Sequence, residues 1–296
     1  MNQNAGDVIE SILRRQNKDG GWAYGRGSER GVASWTEPTI YAAMVLKSSA
    51  ADRTAVVRAM RWISARQRQD GGFAPYESVE QSTWVTSLAL LFSPEDFESH
   101  GYERALDWVL QQTGQETTWL YRLKLRWFPQ EAGPGVGGWP WFPGTASWVS
   151  PTSMAILGLR RAQLFASHGN SRQQAIAQRI EEGKRFLISH TCQDGGWNHG
   201  SQKALGYAAD SYPETTGAAL LALRGSPRQQ LSVSIERAKA LAAGCSFSEG
   251  LSWLRMGLAA HGETLAPQPA PARARNLRDE CLEVLSEKVS EGAVQL

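Results

Sequence analysis

The sequence holds little that would build a secreted, membrane-spanning or nucleic-acid-binding protein. Cysteine is scarce: Cys192, Cys245 and Cys281 are the only three in 296 residues and show no paired spacing. That excludes a disulfide framework and suits a reducing compartment. Charge of either sign is nearly balanced, 31 basic against 29 acidic side chains for a net +2. No global field draws in a polyanion, and nucleic acid is not an expected partner. No apolar run approaches membrane-spanning length, and MNQNAGDVIESILRRQ carries no basic stretch followed by an apolar one. Neither a transmembrane segment nor a secretory leader is read, and the cytoplasm is the expected address. No segment sustains strand alternation between turn residues, so a sheet is not expected.

Tryptophan and glycine, by contrast, are plentiful, at 12 and 29 residues, and they fall into a pattern. ILRRQNKDGGW ends at Trp22, WISARQRQDGGF at Phe73 and FLISHTCQDGGW at Trp197, with a weaker copy, GVGGWPW, ending at Trp141. Such self-similarity is the signature of a repeat architecture. Before each strong copy, apolar residues three and four apart, such as Val57, Met60, Trp62 and Ile63, predict an amphipathic helix. Asp-Gly-Gly stops that helix, because paired glycines take the left-handed conformation that closes it and the aromatic packs back on its last turn.

Each peg is followed by a loop and a second helical stretch: SWTEPTIYAAMVL, QSTWVTSLALLF, SWVSPTSMAILGL and SYPETTGAALLAL. These are apolar around most of their circumference, as helices buried on several sides are, and proline, threonine, serine or glutamate marks their starts. Amphipathic outer helices alternating with apolar inner ones close most simply into a double ring. An all-α, α/α-toroid of five to six helix pairs is predicted. TTWLYRLKLRWF reads either as an inner helix or as a displaced outer one. The toroid is expected over 1–262, a proline- and alanine-rich linker over 263–275, and an amphipathic helix over 276–296 with Leu277, Cys281, Leu282, Leu285 and Val289 on one face. That face either docks back on the ring or binds a protein partner.

The aromatic, aliphatic, glutamine, Asp-Gly-Gly-Trp string resembles the repeat of squalene and terpene cyclases and of protein prenyltransferase β subunits, and the likeness runs to about residue 260. It implies the toroid fold, and an apolar, isoprenoid-like molecule as the partner in its central cavity. The chemical motifs of those families are missing: there is no DxDD, no DDxxD and no GCGEQ, and DSYPETTG from Asp210 lacks the cysteine of the prenyltransferase zinc site. Proton-initiated cyclisation by DxDD is therefore not expected, and neither a metal nor a cofactor is assigned.

Aligned on their Pro-Thr or Thr-Thr element, the inner-helix starts place Glu37, Gln81, Ser150 and Glu214 at equivalent positions, with Trp35, Trp148 and Tyr212 two residues earlier. A ring gathers these starts at one mouth, and convergent polar and aromatic groups are what a pocket looks like in sequence. Glu37, Asp210 and Glu214 are the candidate catalytic acids, since crowded carboxylates raise one another's pKa. Trp35, Gln81, Trp141, Trp148 and Tyr212 are the candidate substrate-binding residues. Capping and the helix dipole give each carboxylate an alternative, purely structural role. His190, Cys192, Asp194 and His199 are ligand types without tetrahedral spacing. Arg26 and Arg30 in RGSERG are either a phosphate cradle or a solvated loop. An enzyme acting on an apolar substrate and a non-catalytic ligand- or protein-binding toroid both remain open.

Overall fold

The computed structural model describes residues 3–25, 32–118, 137–166, 171–200, 203–204, 207–265, 273–294 and 296. Arg26, Arg30, most of TTWLYRLKLRWF and much of the linker lie outside these. Among the described residues the architecture is the α/α-toroid. Its outer helices are α1 (Gln3–Arg14), α3 (Arg53–Ala65), α5 (Gly101–Gln111), α7 (Ser171–Ser189) and α9 (Arg228–Gly244). The inner ones are α2 (Thr36–Ser48), α4 (Val85–Ala89), α6 (Val149–Gln163), α8 (Pro213–Ala222) and α10 (Ser248–Ala259). Strand is confined to two short antiparallel pairs, β1 (Trp139–Pro140) with β2 (Ser147–Trp148) and β3 (Lys203–Ala204) with β4 (Tyr207–Ala208). No described helix is long and apolar enough to cross a membrane.

The helix at 276–296 docks back onto the ring and completes it. This helix, α11 (Leu277–Ser290), packs between α10 and α2, so that the inner helices follow one another around a closed circle. Leu277, Cys281, Leu282 and Leu285 are almost wholly buried there. Polar links seal the seam: Leu277 N donates to Tyr24 O at 3.0 Å, Lys288 Nζ donates to Ser48 O at 3.2 Å, Arg15 pairs with Glu280 and Arg278 with Glu37. Burial pushes the Cys281 thiol pKa up, so this cysteine is a core residue and not a reactive one.

The repeat works as a staple. Asp19 accepts from Gly21 N at 3.0 Å, from Ser34 Oγ at 2.8 Å and from Trp62 Nε1 at 2.8 Å, which ties a helix stop to the next inner start and the next outer helix. Asp70 repeats this with Gly72, Ser82 and Trp108. Asp194 does so with Gly196 and Ser211, but Arg237 replaces the indole at 2.9 Å. Burial alone would raise the Asp19 and Asp194 pKa values; these hydrogen bonds, with Arg66 and Arg237 nearby, hold both below the usual carboxylate value. The two glycines have separate reasons. Gly71 sits at φ 88°, and a Cβ on Gly72 would stand 2.5 Å from Ser82 Cβ.

Each peg is fixed by its backbone amide, and in the weaker copy the peg is Trp139, two residues before Trp141. The amides of Trp22, Phe73, Trp139 and Trp197 donate to the hydroxyls of Thr39, Thr86, Thr152 and Thr216 at 2.8–2.9 Å. The indoles of Trp22 and Trp197 donate to Ile12 O and Leu187 O on the preceding outer helices. These threonines fix how far α2, α4, α6 and α8 slide along the ring axis. That shared register brings the helix starts to one level.

Candidate functional site

With the inner helices in register, the second residue of each regular one faces the axis: Glu37 on α2, Ser150 on α6, Glu214 on α8, Glu249 on α10 and Arg278 on α11. All five line a cavity of about 240 Å³ at the mouth of the ring. One helical turn further in, four residues along, stand Tyr41, Met154, Ala218, Trp253 and Leu282, which line the same cavity. Residues at i and i+4 share a helix face, so the site is a polar tier above an apolar one. Trp84, Trp141 and His199 complete the wall, and Trp84 meets Trp141 edge-on with ring centroids 5.1 Å apart.

The sequence-derived candidates divide accordingly. Glu37, Glu214, Ser150 and Trp141 are brought together in the cavity. Gln81 is exposed and does not line it. The start of α4 is one residue shorter between its serine and threonine, Ser82 to Thr86 against Ser34 to Thr39, and Trp84 takes the place two before the threonine. Trp35, Trp148 and Tyr212 are the caps preceding α2, α6 and α8. Trp35 stacks on Tyr76 with centroids 4.5 Å apart, whereas Trp148 and Tyr212 are exposed on the rim. Asp210 is exposed and stands outside the lining. His190 stacks on Phe186, Asp194 belongs to its staple and Cys192 is buried, so they do not meet His199 at the mouth.

Two charged cavity residues escaped the sequence reading, as did the apolar floor and Trp84. Glu249 had a signal, since Ser-Phe-Ser-Glu-Gly repeats Ser-Trp-Thr-Glu-Pro around Glu37. Arg278 had none, because α11 carries no peg of its own. Arg278 lies 3.4 Å from Glu37 Oε1 and 2.6 Å from Glu249 Oε1. Burial opposes its charge, but the two carboxylates outweigh burial and push its pKa up. Tyr24 donates to Glu37 Oε2, and Arg275 pairs with Glu249. Even so, burial leaves Glu249 above the ordinary carboxylate range, with Asp279 and Glu214 pushing the same way against the two arginines. No hydrogen bond or ion pair among the described residues reaches Glu214.

A larger groove of about 710 Å³ lies outside the ring, between α3 and residues 94–98. Its Lys47 is already paired with Asp96, and it gathers no set of equivalent positions from the repeats. Convergence from five helices singles out the mouth.

The fold and this axial cavity define the class, an α/α-toroid shared with terpene cyclases and with glycosidases. No protein-family model matches the chain. In sequence it is 26% identical over 240 residues to drimenyl diphosphate synthase of Streptomyces showdoensis, covering 79% of this chain and 38% of that protein. The chain thus spans well under half the length of that curated relative. In structure it is similar to the GH76A α-1,6-mannanase of Salegentibacter sp. HEL1_6 in complex with α-1,6-mannotriose, with a TM-score of 0.64 at 8% identity over 99% of both chains. It is similar also to the type II terpene cyclase MstE from Scytonema in complex with geranylgeranyl dihydroxybenzoate, with a TM-score of 0.56 at 12% identity over 96% of this chain and 78% of that one.

Proposed function

We propose that this chain is a terpene-cyclase-like toroid protein that takes an apolar, isoprenoid-like substrate into the mouth of the ring and acts on it there. The carrying observation is the two-tier lining, in which Tyr41, Met154, Ala218, Trp253 and Leu282 form an apolar floor beneath Glu37, Glu214 and Glu249. The sequence likeness to a drimenyl diphosphate synthase and the fold shared with a terpene cyclase support the same reading. At about 240 Å³ the cavity lies below the roughly 300–1,000 Å³ of common small-molecule sites. It suits a short isoprenoid or one end of a longer one. The aromatic side chains would stabilise positive charge developing on such a substrate.

A second reading, a binding toroid without chemistry, is favoured by one arrangement: Glu37 and Glu249 are both engaged by Arg278. Tryptophan fluorescence titrated with geraniol and farnesol tests the site, and analysis of the extracted ligand after incubation tests the chemistry. A saturable response with a new product supports the enzyme. Saturation with unchanged ligand supports the binding toroid, and no response to any prenyl compound removes both.

A further inference from the structure

The mouth is acidic, which sets this chain against the diphosphate chemistry named in its curated relative. Three carboxylates, Glu37, Glu214 and Glu249, face the cavity with one guanidinium, Arg278, and that guanidinium already lies against two of the three. Glu214 is left without a partner among the described residues. Trp84, Trp141, Trp253 and Tyr41 line the same cavity. Aromatic side chains together with an unpaired carboxylate are the physical requirements for holding an organic cation.

Helix N-termini point the other way, because their free amides and dipoles attract anions. Here the first amide of each helix is already spent. Thr36 N donates to Pro75 O, Trp84 N to Trp141 O, Val149 N to His199 O, Ser248 N to Arg273 O and Leu277 N to Tyr24 O, at 3.0–3.3 Å. α8 opens on Pro213, which has no amide proton to give, and Asp279 N is capped by Asn276 at 3.0 Å. A diphosphate entering the mouth would meet three carboxylates and an arginine already engaged by two of them.

We infer that the mouth cavity selects an apolar organic ammonium ion over the matching alcohol and excludes the matching diphosphate, with Glu214 as the residue that sets this preference. The inference rests on the proposal that the mouth is a ligand site. The ligand's hydrocarbon end lies on the floor formed by Met154, Ala218 and Leu282, and its cationic group lies at the level of Glu214, one helical turn nearer solvent.

Geranylamine, geraniol and geranyl diphosphate share one hydrocarbon chain and differ in the charge of the head. Titrating each at neutral pH and constant ionic strength, with tryptophan fluorescence as readout, should give tightest binding for the amine, by about tenfold over the alcohol, and weakest for the diphosphate. Glu214→Gln, checked by thermal unfolding to fold as the parent does, should lose the preference for the amine, whose affinity falls more than the alcohol's. Trp84→Leu should weaken the amine more than the alcohol. Amine and alcohol binding equally, the diphosphate binding best, or a Glu214→Gln variant with the parent's ratio would each overturn the inference while leaving the ligand site standing. Silence from all three compounds would remove the ligand site itself.

Discussion

Three glutamates occupy the same place on three helices and yet have three different surroundings, so one substitution should have three results. Glu37 is nearly buried and holds Tyr24 and Arg278. Losing hydrogen bonds to a charged group costs about 1.5–3 kcal/mol, so Glu37→Gln should unfold at measurably lower urea concentration than the parent. Glu214→Gln should unfold with the parent, because no described residue depends on that carboxylate. Glu249 is separated from both by pH. Burial raises its pKa in the folded chain above the ordinary 4.5, so the folded state binds the proton more tightly than the unfolded one. Its contribution to stability is full below that ordinary value and is lost as pH rises through the elevated one. The urea midpoint of the parent relative to Glu249→Gln should therefore fall as pH rises from the ordinary carboxylate value through the elevated one; a constant difference would show that Arg278 and Arg275 cancel the burial cost. Glu37 and Glu214 were legible in the sequence as polar residues beside a helix start. Their unequal partners were not, because Arg278 reaches Glu37 across 241 positions, beyond any local pattern.

At the scale of elements, the repeat was legible because its cause is local: a stop, a peg and a start, all within about 20 residues. The role of α11 was less so, since an amphipathic helix after a proline-rich stretch has the same sequence whether it seals a ring or meets a partner. In the ring it buries Leu277, Leu282, Val284 and Leu285. At about 1.5–3 kcal/mol each, these alone amount to roughly 6–12 kcal/mol, comparable with the entire stability of an ordinary domain. A chain ending at Leu265 should therefore lose cooperative thermal unfolding, read by circular dichroism. The contact of α8 with α10 is equally demanding. A Cβ on Gly217 would stand 2.2 Å from the carbonyl carbon of Trp253, and one on Gly257 would stand 2.4 Å from Gly217 O. Gly217→Ala must push the two backbones apart, at a cost of about 3 kcal/mol. That lowers the melting temperature by roughly 6–12 °C, and an unchanged melting temperature would show that the helices slide instead.

For the whole molecule, what the sequence conveyed was a ring; what it could not convey was where the ring joins. Alternating buried and amphipathic helices imply closure, but Leu277 meeting Tyr24 is set by the accumulated turn of every helix between them. The seam also orders events in time. On a ribosome the N-terminal half emerges first, and its helices pair with neighbours already made, each over a short loop. The last inner position stays vacant until α11 leaves the exit tunnel, and closing it spans nearly the whole chain, the slowest kind of contact to form. Because α11 carries Arg278, the guanidinium that bridges Glu37 and Glu249 is missing from the mouth until that moment. A nascent or truncated chain is thus a partial ring with its floor open to water, unable to present the finished pocket. On the function proposed above, ligand capture begins only after synthesis has passed α11, so binding by chains stalled before and after that helix would time the closure directly.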